Sequence, residues 1–158
     1  MKQFNIEIIS KKSEKIDGLL SYWGKITIND FSKRFVMPLN SWTVEQYKQQ
    51  WKEGIERLKT HNNSCLVTTI QNLDKNPLIE MWTLHKEGNV IFIHHQLVNR
   101  MIAKELNLPI SINEFNSKTC YQFINERISN SENKGINEDG EEISEWRTGL
   151  NEVLQLVL

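Results

Sequence analysis

Between Val44 and Leu58 the apolar residues Val44, Tyr47, Trp51, Ile55 and Leu58 recur at intervals of three or four. That spacing places them on one stripe of a helix, and no other part of the chain holds a helical pattern of this length. Lys48, Lys52, Glu53, Glu56, Arg57 and Lys59, with Gln46, Gln49 and Gln50, fall on the other face. Thr43 is placed to cap the first turn, and Gln46 three residues later completes a capping box. Leu39 or Trp42 is available to staple that turn, and Glu53 precedes Arg57 by the favourable four residues. The pattern predicts a helix over residues 43–60, stopping where His61, Asn62 and Asn63 follow. A stripe of this kind needs an apolar surface to cover, so the remainder of the chain must supply a sheet.

Several segments have strand patterns. Phe4, Ile6 and Ile8 alternate with Asn5 and Glu7, and Trp23 to Phe31 sets Ile26 and Ile28 against Lys25 and Thr27. The charged run between them, ending at Gly18, reads as a loop, and Phe35 to Pro38 as an extended arm. Residues 64–70, SCLVTTI, read as a central strand. Leu78–His85 and Val90–His95 flank Lys86-Glu87-Gly88-Asn89 and form the clearest hairpin. A Glu87-Gly88 turn would oppose His85 to Val90, Trp82 to Ile93 and Glu80 to His95. Residues 97–108 carry a short helical pattern through Leu97, Met101, Ile102 and Leu106, and residues 120–124, CYQFI, read as a strand. The polar stretch 125–142 reads as mobile, with order resuming from Ile143 to Trp146. Leu150, Val153, Leu154, Val157 and Leu158 form a last apolar stripe that should dock on the core. Runs of strands with an inserted helix give an α+β fold. It has a mainly antiparallel sheet, one long amphipathic helix and a short C-terminal helix packed on it.

The chain's 158 residues fit a single domain spanning 1–158, and 39% apolar content fills a core. A net charge of -1 supplies no field toward nucleic acid or an anionic membrane, and no run is long enough to span one. Cys65 and Cys120 both sit in strand-like runs and read as free buried thiols of a reducing cytoplasm, although a disulfide is possible on paper. No metal or cofactor motif is present, and no nucleotide loop or nucleophile elbow. His94-His95 with His85 and Glu80 is the one metal-like cluster, but neighbours on a strand point to opposite faces. Glu138, Asp139, Glu141, Glu142 and Glu145 gather negative charge beside Trp146. By charge alone that run reads as a solvated turn or as an acidic patch for a basic partner.

Four blocks, in order, resemble immunity proteins of bacterial contact-dependent growth inhibition systems. A glycine-led strand at Gly24 enters an aromatic arm, followed by a helix bearing Trp42, Tyr47 and Trp51. A hairpin turning at Gly88 comes next, and the pattern closes on Asn137 to Gly140 and Ile143 to Trp146. The resemblance spans roughly residues 21–150; residues 97–119 and the first twenty fit it poorly. It implies a cytoplasmic, non-enzymatic monomer or weak homodimer that requires no cofactor and binds neither nucleic acid nor membrane. Its partner would be the toxin domain at the C-terminus of a cognate effector, commonly a nuclease, blocked at its active site or an adjacent exosite. On that basis Glu138, Asp139, Glu141, Glu142 and Glu145 are the expected toxin contacts, with His94, His95 and Glu80 a weaker surface. Trp42, Tyr47, Trp51, Trp82 and Trp146 are expected in the core. The alternatives are a small metal-dependent hydrolase using His85, His95 and Glu80, and a structural subunit that pairs copies through the C-terminal stripe.

Overall fold

The computed structural model describes residues 3–71, 77–105, 115–124, 145–156 and 158. Among these residues the α+β fold has two antiparallel four-stranded sheets, a long helix, a short C-terminal helix and two further short helical segments. The first sheet holds β1 (Phe4–Ile8), β2 (Glu14–Ile16), β3 (Leu19–Ile28) and β4 (Phe31–Pro38). β3 is its spine: β4 pairs along one side, while β1 and β2 lie end to end along the other. The break between β1 and β2 is held at one point. Ile9 and Ser10 both donate their N–H to the Trp23 carbonyl, at 2.9 and 3.3 Å, and the Ser10 hydroxyl accepts the Trp23 N–H at 2.7 Å. Asp17 and Gly18, at φ 51° and 81°, make the tight turn from β2 to β3 that matches strand twist. The segment expected as an arm is instead a full strand. Phe35 and Met37 are buried, Arg34 between them and β4's start is exposed, and all three pair across to β3.

The second sheet runs β5 (Asn63–Gln71), β6 (Leu78–Glu87), β7 (Val90–Asn99) and β8 (Glu145–Gly149), in that spatial order. The β6–β7 turn is Gly88-Asn89, with Gly88 at φ 60°, so Glu87 faces Val90 and Trp82 faces His95. The expected register was therefore displaced by two residues, which leaves every side chain on its expected face. The cause is the glycine: a positive φ is most readily accommodated at the first central position of such a turn.

Three further expectations change. Leu97 to Asn99 remain in β7, and the helix that follows, α2, is described over Arg100–Glu105, with residues 106–108 outside the described residues. Cys120–Phe123 is a 3-10 helix rather than a strand. Asn116 directs this, because its Oδ1 accepts the N–H groups of Lys118 and Thr119 at 2.8 and 3.0 Å and turns the chain before a ladder can form. α3 (Leu150–Leu154) buries Val153, with Leu150 and Leu154 packed against the core, while Leu158 stays 40% exposed. The stretch expected to be mobile, residues 125–142, lies outside the described residues, as do Ile143 and Val157.

The long helix, α1, spans Val44–Arg57 with Leu58 as its C-cap, slightly shorter than expected. The Thr43–Gln46 capping box is formed, and the staple is Trp42, whose ring lies edge-on to Tyr47 at 5.4 Å. Tyr47, Trp51, Ile55 and Leu58 are buried as the stripe requires. Arg57 does not turn to Glu53; its Nε donates to the Asn63 carbonyl at 3.1 Å and its guanidinium lies 4.5 Å from the Tyr121 ring.

Gln50, placed on the polar face by periodicity, is completely buried. The reason corrects another expectation. β5 is the terminal strand of its sheet, not a central one, yet Ser64 to Ile70 are all buried. Side chains of α1 satisfy its open edge. Gln50 donates to the Cys65 carbonyl at 2.8 Å and accepts the Val67 N–H at 2.7 Å. Trp51 Nε1 donates to the Val67 carbonyl at 2.7 Å. Tyr47 accepts the Ile70 N–H at 3.2 Å and donates to the Pro38 carbonyl at 2.9 Å. Gly54 permits the approach, since a Cβ there would collide with the Cys65 carbonyl oxygen. An edge that could have paired with another chain is thus closed from within.

The two sheets share one core, with Ile6, Ile26, Ile28, Phe35 and Met37 from the first and Leu66, Trp82, Leu84 and Ile93 from the second. Phe31 bridges them, its ring 4.5 Å from Trp146 and 6.4 Å from Trp82. Trp42, Tyr47, Trp51 and Trp82 are buried as expected, while Trp146 is only half-buried.

Candidate functional site

The hairpin pairing decides which histidines can meet. Glu80, Trp82 and His95 share one face of the second sheet, and His85 and His94 point to the other. His95 Nε2 lies 3.1 Å from Glu80 Oε1, and its ring centroid is 4.6 Å from that of Trp82. His85 is engaged elsewhere, with Nδ1 2.7 Å from Asn63 Oδ1 and Nε2 3.2 Å from Glu87 Oε1. The His85, His95 and Glu80 constellation of the hydrolase alternative therefore does not assemble. Among the described residues no group of three or more histidine, cysteine or acidic side chains is placed to hold a metal ion.

Cys65 and Cys120 are buried and unbridged. The 3-10 helix docks on β5 so that the two thiols contact each other, and burial, reinforced by Cys120, holds the Cys65 thiol well above its ordinary range. A thiol kept protonated is a poor nucleophile, and both sulfurs lie in the interior.

Glu138, Asp139, Glu141 and Glu142 lie outside the described residues. Glu145 opens β8 opposite His94, and its side chain is only 6% exposed. One carboxylate oxygen is 3.3 Å from His94 Nε2 and the other 3.4 Å from Arg147 Nε. The Arg147 guanidinium stands 5.0 Å from the Phe92 ring, and its carbonyl accepts from Asn29 Nδ2 at 2.7 Å. In this geometry the Glu145 carboxylate is held within the sheet by His94 and Arg147.

Sequence reasoning missed one surface. Past the Trp82–His95 pair, the face covered by the first sheet gives out: Leu97, opposite Glu80, is 50% exposed and Met101, on α2, is 67% exposed. The sequence spacing puts both in a short helical pattern over residues 97–108. The alternation of Ile91, Ile93, His95 and Leu97 was the signal that the strand continues. No helix among the described residues is long and apolar enough to cross a membrane.

Comparison with known proteins agrees with this architecture. The family described as CdiI N-terminal domain matches residues 37–156. Immunity protein CdiI of Enterobacter cloacae subsp. cloacae is 28% identical over 149 residues, covering 92% of each chain. A chain of the CdiA-CT/CdiI toxin and immunity complex from Enterobacter cloacae superposes with a TM-score of 0.73 at 25% identity, covering 96% of this chain and 94% of that one. The chain belongs to the CdiI N-terminal domain family and is a contact-dependent growth inhibition immunity protein.

Proposed function

We propose that this chain binds and neutralises the C-terminal toxin domain of a cognate contact-dependent growth inhibition effector, and that this toxin is a nuclease. The whole chain, 1–158, acts as one domain in the cytoplasm of the producing cell, by occupancy and without chemistry of its own. The observation that carries the binding half is near-full-length likeness, 92% of each chain, to an immunity protein. The acidic run supports the nuclease half. Five carboxylates fall within residues 138–145, and a nuclease must hold phosphate, so its cleft is basic. Carboxylates can enter such a cleft through charge-assisted hydrogen bonds. Glu138, Asp139, Glu141 and Glu142 are the proposed contacts, with Glu145 anchoring the run against His94.

The test is a titration with the toxin domain encoded beside this gene. Immunity requires a slow off-rate, so dissociation in the nanomolar range or tighter is expected, and an affinity no better than micromolar overturns the reading. Cleavage of DNA or RNA by the isolated toxin should cease at one equivalent. A toxin domain that leaves both polymers intact removes the nuclease half and leaves the binding half standing.

A further inference from the structure

We infer that Cys65 and Cys120 are a redox-sensitive pair, converted by a peroxide to an intramolecular disulfide when the 3-10 helix lifts from β5. The two sulfurs come from elements far apart in sequence and meet in the interior, both completely buried. Each is oriented toward the junction. The Cys65 S–H points to the Cys120 sulfur, and the Cys120 S–H points to the Ser117 carbonyl at 3.5 Å. The Gln50 side chain ties the same two elements together independently. Its nitrogen lies 2.8 Å from the Cys65 carbonyl, 4.0 Å from the Cys65 sulfur and 3.4 Å from the hydroxyl of Tyr121, the residue after Cys120.

Sulfurs in contact must still move closer to reach bonding distance. The 3-10 helix is the side that can yield. Cys65 is fixed in β5, whose backbone is bound by α1 on one side and β6 on the other. Cys120 opens a single turn whose backbone bonds are local: its N–H donates to the Asn116 carbonyl at 2.9 Å, and the Gln122 N–H to the Thr119 carbonyl at 3.0 Å. A short turn of this kind opens more readily than a paired strand. The same opening admits an oxidant to sulfurs that are otherwise covered. Tyr121 is the clasp, with its ring 4.5 Å from the Arg57 guanidinium.

The chemistry balances with a peroxide as oxidant. The Cys120 sulfur attacks one peroxide oxygen and the O–O bond breaks; the thiol proton and the departing hydroxide leave as water, and Cys120 becomes a sulfenic acid. The Cys65 sulfur then attacks the Cys120 sulfur and displaces its hydroxide, which takes the Cys65 proton and leaves as a second water. The two thiols lose two electrons in all, and the peroxide gains them. The order follows from position, since Cys120 lies on the element that moves and Cys65 waits in the sheet.

The experiment treats the reduced full-length chain with hydrogen peroxide, counts thiols after denaturation and reads the intact mass. Both thiols should vanish, the mass should fall by two hydrogen atoms, the product should stay monomeric, and dithiothreitol should reverse the change. The melting temperature should rise by about 5 °C or more, because the bridge closes a long loop in the unfolded chain. Tyr121→Ala should oxidise about threefold faster or more. Cys120→Ser should lose no hydrogen pair; it leaves the sheet residue in place, so it serves even if Cys65→Ser fails to fold. Thiols that persist in the native chain, oxygen gained where hydrogen should be lost, or bridges between molecules overturn the pair. A disulfide that lowers the melting temperature, or a Tyr121→Ala chain that oxidises no faster than its parent, overturns the opening of the 3-10 helix as the route, and the proposal with it.

Discussion

Gln50 and Val67 are joined as two neighbouring strands would be: the side-chain carbonyl of a helix residue accepts the backbone N–H of a sheet edge at 2.7 Å. The same carboxamide donates to Cys65 two residues away, so one side chain substitutes for a peptide group of a missing fifth strand. Gln50→Leu keeps the volume and orphans a buried N–H and a buried carbonyl. Each unsatisfied group costs about 1–3 kcal/mol, giving an expected loss of about 2–6 kcal/mol in urea unfolding. A loss below about 0.5 kcal/mol would show that water replaces the amide.

Gly54→Ala tests how closely the helix lies on that edge. In an open helix the change gains about 1 kcal/mol. Here the new methyl meets the Cys65 carbonyl oxygen, a backbone atom that cannot swing away. The prediction is a net destabilisation of about 1–3 kcal/mol, read as a lower melting temperature. A stabilised variant would mean that α1 can lift from β5 without cost.

Stability should fall in alkali, from the buried Cys65 and Tyr47 and the half-buried Tyr121. Burial raises the Cys65 thiol above its ordinary 9.0 and the Tyr47 and Tyr121 phenols above their ordinary 10.0. Above those values the unfolded chain releases protons that the folded chain keeps, so the unfolded state gains and stability declines with pH. The stabilisation is complete below pH 9, begins to fade there through Cys65, and falls more steeply above pH 10 as the phenols join. Each fully contributing group adds a slope of about 1.4 kcal/mol per pH unit. Urea midpoints from pH 8 to pH 11 measure the curve. In Cys65→Ala the onset should move up toward pH 10, and an onset that stays at 9 would exclude this thiol as its source.

The acidic run should act on encounter more than on the fold. Reversing Glu138, Asp139, Glu141 and Glu142 to lysine is expected to slow association with the toxin domain about tenfold or more at low salt. In roughly 0.5 M salt the difference should shrink strongly, because exposed charges are screened within a few ångströms. Stopped-flow association rates at two ionic strengths decide it. A variant that associates as fast as the parent at low salt removes these four residues from the interface.

The sequence made the periodic parts of this fold legible. Tyr47, Trp51, Ile55 and Leu58 announced α1, Thr43 and Gln46 its cap, and Gly88 the hairpin. What it concealed was polar residues doing interior work. Glutamine has no periodic signature for burial, so Gln50 looked like surface, and β5, saturated by that helix, looked central. Asn116 overrode the strand propensity of CYQFI through a local side-chain bond that composition does not reveal. At the candidate site, sequence separated His94 from His95 correctly. It could not see that Leu97 and Met101 emerge from the core, because exposure of an apolar residue is decided by where the opposite sheet ends.

The closure of β5 by α1 also bears on how such a protein can diversify. Tyr47, Gln50 and Trp51 are bound to the backbone of β5, and Gly54 is pressed against it. A change at any of them is felt as lost stability before it can alter recognition. Changes in what the surface meets therefore come at less cost elsewhere on the molecule, while the inward half of the helix stays locked by its own carpentry.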